Sequence, residues 1–427
     1  MKQVSLARRA ARLSPTIPAS SHEHAIPFDS GHGFPALFPD LTAAAEQALT
    51  TYRHETLQYG VRPGLRDLRE WIAGAMNMDG AKVTPDEIFI TNGAKQGIEL
   101  VCRLLLDEGD AIVVTAPTYF TSIPIFRSFD ADFVEVGQDN EGLNTDELAE
   151  TLDRLTRDGR KVPKFVYNVP DFHNPTGVTM SRRRREALLE LASRYGMYVV
   201  EDSPYRRVRF EGTSEPSLKA LDRDKNVLHL GTFSKLLAPG IRIGWVAGSP
   251  DLLARMIQLK ADGGSSPLVQ RIIVEWCKAG NLAAHTEKVQ RTYRLHRDHM
   301  VAALRRDLPE VSMLVPEGVT ICGSRSLTGS MPMNLPSTQP RRVLLSSQEA
   351  SSTRELTAAT TSRQRDTCDW PIRILRRSKL MKASGGLPAR CADAASVPRA
   401  RRLSGRWRIR TPRLRNRRRV DAGCCAD

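Results

Sequence analysis

The sequence predicts an α/β fold, a mostly parallel sheet covered on both faces by helices. Three observations predict it. Short apolar runs of strand length alternate with longer stretches of helical period through residues 1–320. The residues with the most distinctive chemistry fall directly after those runs, and ligands of open α/β sheets bind at the carboxyl ends of strands. The 427-residue composition, 41% hydrophobic and 26% charged, is that of a globular chain long enough for two or three folding units.

Taken in order, the first 20 residues carry Lys2, Arg8, Arg9 and Arg12 without an apolar core, which argues against a secretory signal. Leu6, Ala10 and Leu13 recur at helical spacing and predict an amphipathic arm rather than a transit peptide. No apolar run approaches the ~18 residues of a membrane span, so we expect a cytoplasmic protein without a membrane partner. Ile88–Thr91 reads as the first strand, and a helical pattern opens at Gly93 and runs through Leu106. Strands follow at 111–115, 164–167, 198–201 and 227–230. The helix Arg182–Tyr195 lies among them, with Ser181 as its N-cap and its four arginines forming an exposed start.

The strongest motif is GTFSKLLAPGIRIG at 231–244. Lys235 is bounded by the hydroxyls of Thr232 and Ser234, Arg242 lies seven residues on, and the segment directly follows a strand. Pyridoxal phosphate needs those parts: an amine for a Schiff base, and hydroxyls and a guanidinium for a phosphate. A Ser-Lys pair in a surface loop would look the same in isolation. Asp202 follows the 198–201 strand within EDSPY, where a carboxylate can keep a pyridine nitrogen protonated and make the ring an electron sink. Tyr205 of that segment and Asn174 of HNPTG (173–177) could reach the ring's phenolic oxygen, although Asn-Pro-Thr-Gly also suits a plain turn. NGAKQ at 92–96 opens a helix, so its free N–H groups and dipole suit a phosphate as well as ordinary capping. Tyr119, in APTY after another strand, could stack on a ring or fill the core.

Together these residues resemble the class I/II aminotransferases of the fold type I pyridoxal-phosphate enzymes. The resemblance is to the branch with 2-aminoadipate and aromatic aminotransferases and the aminotransferase-like half of fused helix-turn-helix regulators. Five motifs keep the family's order over about residues 26–320. The resemblance implies fold type I, pyridoxal 5′-phosphate as cofactor, and amino-acid and 2-oxo-acid substrates. It implies Lys235 as the Schiff-base lysine and proton shuttle, Asp202 at the pyridine nitrogen, Asn174 and Tyr205 at the phenolic oxygen, and Tyr119 over the ring. Ala94, Lys95, Thr232, Ser234 and Arg242 would hold the phosphate. Tyr59, in QYGVRPG (58–64), resembles the tyrosine that reaches across a homodimer to the other subunit's phosphate. Gly31, in FDSGHG (28–33), resembles an amino-terminal glycine near the substrate, where Asn174 also binds. Proton transfer is expected at Lys235 rather than at the neighbouring His173. The implied organisation is an arm and small-domain segment at 1–50, a large cofactor-binding domain at 51–285 and the start of a carboxyl-terminal small domain at 286–320. Cys102 and Cys277 read as reduced core thiols.

Residues 321–427 differ. They hold 23 of the 63 basic residues, 21 of them Arg, but 7 of the 48 acidic ones, a net of +16 that leaves 1–320 at −1. The overall charge of +15 therefore describes this tail. Its arginines lack interleaved aromatics apart from Trp407 and match no nucleic-acid module, so a nucleic-acid partner is not expected. Five of the seven cysteines lie there, Cys424 and Cys425 without the spacing of zinc ligands, and no metal is expected. The Arg-Leu-small-aromatic-Ser stretch, whose Arg clamps the substrate α-carboxylate in the family, has no counterpart. Out-of-frame translation would explain the change. Reading the third base of each codon with the first two of the next, Met331-Pro332 must give Ala, and Met333-Asn334 and Met381-Lys382 must give Glu. CDWP at 368–371 must give Arg or a stop, then Leu and Ala. On this reading the packed fold ends near residue 315 and the clamp Arg is hidden across Cys368 and Asp369.

The readings that follow are an aminotransferase, a frameshifted pyridoxal-phosphate-binding protein with impaired catalysis, and an Arg-tail nucleic-acid binder. A decarboxylase or lyase on the same scaffold is a further alternative, because reaction type depends on which Cα bond stands perpendicular to the ring. The aminotransferase is the reading expected here.

Overall fold

The computed structural model describes residues 31–309, 311–319 and 324–326, with 5–6 and 10 near the start. Eight strands form the central sheet: β1 Ile88–Thr91, β2 Ala111–Ala116, β3 Asp132–Asp139, β4 Gly142–Leu143, β5 Phe165–Asn168, β6 Tyr198–Asp202, β7 Val227–Thr232 and β8 Gly244–Ala247. Their order is β1-β8-β7-β6-β5-β2-β3-β4. The run from β7 to β3 pairs in parallel, and β8 lies antiparallel to both of its neighbours, β1 and β7. The expected strands are present with ends shifted by a residue or two. The shifts matter at β6 and β7, which take in Asp202 and Thr232 and so hold both in sheet geometry rather than loop.

Helices of eight residues or more among the described residues are α1 Thr42–Thr50, α2 Arg66–Met78, α3 Ala94–Leu105, α4 Thr145–Arg157, α5 Arg182–Tyr195, α6 Pro250–Leu259, α7 Pro267–Lys278 and α8 Asn281–Asp307. In α3, Ile98, Val101, Cys102 and Leu105 fall on one face and pack into the core. The Asn144 side chain caps α4, accepting from the backbone N–H of Asp146 at 3.1 Å and of Glu147 at 3.2 Å. Ser181 caps α5 as expected, accepting from Arg184 N at 3.4 Å, and Gly196 closes it in the left-handed region at φ +69°.

Strand alternation builds the layers. Ile112 and Val114 of β2 pack with Ile98 and Val101 of α3 on one side. Val113, Val166, Val199 and Val227 point to the other side and pack with Leu148 and Leu152 of α4 and Leu188 and Ala192 of α5. Both faces are thus covered, which is why the strands read as continuous apolar runs.

The start of α5 departs from expectation. Arg182 and Arg183 are exposed and pair with Glu186 and Glu141. Arg184 and Arg185 are buried, Arg185 completely. Residue 185 shares the inner face with Leu188 and Ala192, and its guanidinium is satisfied there. It donates to Met180 O at 2.9 Å, Pro170 O at 3.0 Å, Pro216 O at 3.2 Å and Asp171 Oδ1 at 2.8 Å. It therefore pins the ends of the 170–180 loop that carries Asn174.

Beyond α8, Val311–Met313 pairs antiparallel with Ser324–Ser326. The rest of the tail expected from 321 onward, and most of the expected amino-terminal arm, lie outside the described residues. Among the described residues no helix is long and apolar enough to cross a membrane.

Candidate active site

The reversed direction of β8 assembles the site. It puts the amino end of β8 beside the carboxyl ends of its neighbours, so that Thr91 and Thr232 both pair with Gly244. Arg242, just before β8, thereby meets the residues that follow β1. The chains approach so closely that a Cβ on Gly244 would stand 2.7 Å from Gly231 O and from the Gly93 carbonyl carbon, a gap that only glycine permits. Gly93 precedes α3 at φ +82°, and a Cβ there would lie 2.9 Å from Arg242 Nη2. Arg242 itself has φ +54°, a left-handed conformation that costs a non-glycine residue about 1–3 kcal/mol and concentrates at functional sites. Its Nη2 donates to Asn92 O at 3.1 Å.

Around the α3 N-terminus stand Ala94, Lys95, Arg242 and the hydroxyls of Thr232 and Ser234. Thr232 Oγ1 accepts from Ser234 N at 3.1 Å and lies 2.9 Å from Ser234 Oγ. Partial burial and the nearby Arg242 charge pull the Lys95 pKa down. Free helix-end N–H groups, two cations and two hydroxyls form a cradle for a dianion.

Lys235, three residues past β7, is half-buried. Its Nζ donates to Gly31 O at 2.7 Å and lies 6.0 Å from the centre of the Tyr205 ring. A Cβ at Gly31 would stand 2.7 Å from that nitrogen, so a side chain there would push the Lys235 amine from its present position. Burial, reinforced by the Lys95 charge and opposed by Asp202, lowers the Lys235 pKa. Asp202 is 3% exposed. Its Oδ2 accepts from Tyr167 Oη at 2.7 Å, while its Oδ1 is buried with no partner. Burial pushes the Asp202 carboxyl up to about 6, against the pull of Tyr167, His229 and Lys235. Tyr205 is buried, which raises its pKa and keeps the phenol protonated, with Asn174 near enough to act on it in the opposite sense. Burial likewise raises the Tyr119 pKa, and Asp202 is among the charges that act on it.

These groups fit pyridoxal phosphate. A buried carboxylate oxygen without a partner calls for an N–H donor, which a pyridinium nitrogen provides. The cradle fits a phosphate, and the neighbouring Asn174 amide and Tyr205 phenol are the donors a phenolate oxygen needs. Tyr59 is not in this cluster: it is 90% exposed on the surface. His173 is buried, with Nε2 3.0 Å from Thr115 Oγ1 and Nδ1 3.1 Å from Thr176 Oγ1, and burial drops its pKa to about 3. It is a neutral structural group. Cys102 and Cys277 are free buried thiols that burial pushes up to about 12. Sequence reasoning missed Tyr167, whose only signal is the strand register that sets it on the same face as Asp202.

The family model for aminotransferase class I and II matches residues 25–324. The chain belongs to the class I and II aminotransferase family. This aminotransferase-family chain is 39% identical over 280 residues to aromatic-amino-acid aminotransferase 1 of Thermococcus litoralis, covering 64% of this chain and 66% of that protein. It is 35% identical over 299 residues to 2-aminoadipate transaminase of Thermus thermophilus, covering 68% and 72%. The crystal structure of Pyrococcus horikoshii kynurenine aminotransferase, in complex with PMP, superposes with a TM-score of 0.66 at 37% identity over 68% of this chain and 73% of that one. The architecture is fold type I. The chain spans about two thirds of the length of the curated relatives it matches.

Proposed function

We propose that this chain is a pyridoxal-phosphate-dependent aminotransferase that moves an amino group between an amino acid and a 2-oxo acid. Its named relatives point to aromatic or 2-aminoadipate-type side chains as the substrate class. The observation that carries the reading is that the carboxyl ends of β6 and β7 bring together a lysine amine of lowered pKa and a buried carboxylate oxygen awaiting a donor.

When bound, pyridoxal phosphate supplies an electron-withdrawing ring that stabilises negative charge at the substrate Cα. This chain's residues do the rest. The α3 N-terminus, Ala94, Lys95, Thr232, Ser234 and Arg242 bind the phosphate and fix the ring's position. Asp202 keeps the proton on the ring nitrogen, and Asn174 and Tyr205 hold the phenolic oxygen. Tyr119 covers the ring face and excludes water. Lys235, whose lowered pKa enlarges its neutral fraction, would carry the proton between the substrate Cα and the cofactor's C4′ carbon. Tyr59, with exposed Leu57 and Val61 beside it, supports a face covered by a second copy of the chain, as a homodimer with shared sites requires. The Arg-Leu-small-aromatic-Ser stretch that carries the family's α-carboxylate clamp has no counterpart in this sequence.

The test is glutamate formation from 2-oxoglutarate by full-length protein supplied with pyridoxal phosphate and a panel of aromatic amino acids, kynurenine and 2-aminoadipate. We expect measurable turnover that Lys235→Ala abolishes. Turnover of equal size in that variant contradicts the reading.

A further inference from the structure

We propose that Tyr167 is a positioning residue that fixes the Asp202 carboxylate through Oδ2 and so reserves Oδ1 for the nitrogen of the bound cofactor. The inference rests on the function proposed above and assigns a role to a residue outside the motifs.

The placement comes from strand register. Tyr167 of β5 pairs with Val200 of β6, so Asp202 lies two residues further along the same face. Tyr167 is fully buried, and its ring is held edge-to-face by Phe126 at 5.2 Å and 68°. Its hydroxyl has one proton, and the 2.7 Å bond to Asp202 Oδ2 uses it. Burial and the Asp202 charge raise the Tyr167 pKa far above its ordinary value, so the phenol stays a donor and takes no part in acid–base chemistry.

The other titratable groups around Asp202 cannot replace this bond. Tyr119 and Tyr205 approach from the loops after β2 and β6, and burial keeps both phenols protonated. His229 of β7 is engaged through Nδ1 with Glu201 at 2.8 Å. Lys235 donates a hydrogen bond to Gly31 O. Beside the longer-range pull of His229 and Lys235, the Tyr167 bond is the hydrogen bond that offsets the desolvation of the Asp202 charge. Without it the carboxyl is more often neutral, and a neutral acid cannot keep the ring nitrogen protonated.

Tyr167→Phe in the full-length protein removes the donor and keeps the ring. In cofactor-free protein carrying 13C-labelled aspartate, with Asp202→Asn to assign the signal, the Asp202 carboxyl midpoint should rise by roughly one to two pH units, the worth of one hydrogen bond to a charged group. With pyridoxal phosphate added, the visible band of the variant should titrate at a different pH from wild type, and kcat should fall at least tenfold with little change in KM. Incorporation of 3-fluorotyrosine at 167 preserves packing and makes a stronger donor, so it should move the midpoint down. An Asp202 midpoint unmoved in both variants, in protein that takes up pyridoxal phosphate normally, overturns the assignment of Tyr167 alone. Wild-type protein that takes up no pyridoxal phosphate overturns the functional reading and this assignment with it.

Discussion

Individual side chains divide by how their role is encoded. The roles proposed for Lys235, Asp202 and Asn174 were suggested by short motifs whose residue types match one chemistry, and Asp202 and Lys235 lie at the carboxyl ends of the central strands β6 and β7. Tyr167 was not legible: tyrosine within an apolar strand reads as core until the pairing of β5 with β6 is known. His173 shows a local motif pulling the other way, since its place beside Asn174 suggests catalysis while its surroundings make it a neutral spacer. That burial has a pH consequence. The unfolded chain takes up a proton near pH 6.5, whereas folded His173 refuses one until about pH 3. Its contribution is thus present above the unfolded pKa and is lost as pH falls through this window, about 2 kcal/mol by pH 5. His173→Gln, which can still reach Thr115, should remove that loss. Urea unfolding at pH 5 and pH 7.5 should show a smaller drop for the variant by about 2 kcal/mol, and equal drops would contradict the buried neutral state.

At the scale of elements, the parallel strands and their helices were readable from hydrophobic period, but two features were not. The first is β8, four residues beginning with glycine directly behind the lysine motif, too short to separate from the loop by pattern. Its antiparallel placement brings Arg242 to the α3 N-terminus. The second is the burial of Arg184 and Arg185, because four successive arginines look like a solvated helix start. Arg185 pairs with Asp171 where both side chains are almost wholly buried, so truncating it leaves the buried Met180 and Pro216 carbonyls without this donor and Asp171 with only the longer contact to Arg206 at 3.4 Å. Arg185→Ala should cost about 3–5 kcal/mol, the usual penalty for breaking a buried ion pair. The loop bearing Asn174 should loosen with it, raising the Kd for pyridoxal phosphate. Chemical denaturation showing less than about 1 kcal/mol of loss would mean that the loop is anchored elsewhere.

For the whole molecule, the family match ends at residue 324, close to where the charge balance changes in the sequence. An out-of-frame tail predicts that the gene encodes Cys368 with TGC, since TGT would put a stop where the shifted frame needs Arg. Restoring that frame near codon 320 should replace the basic tail with a near-neutral segment and supply a carboxylate-binding Arg. Such a pair contributes roughly 1.5–3 kcal/mol, so kcat/KM should rise about ten- to a hundredfold in the repaired chain. Equal activity in both chains would refute the frameshift. Everything proposed for the site depends on the amine of Lys235 being the group that joins the cofactor. The direct measurement is borohydride reduction of the full-length protein incubated with pyridoxal phosphate, followed by peptide mapping. The pyridoxyl label should appear on the peptide containing Lys235, in proportion to bound cofactor and absent from Lys235→Ala. A label spread over surface lysines, or located on Lys95 while Lys235 stays unmodified, would contradict it.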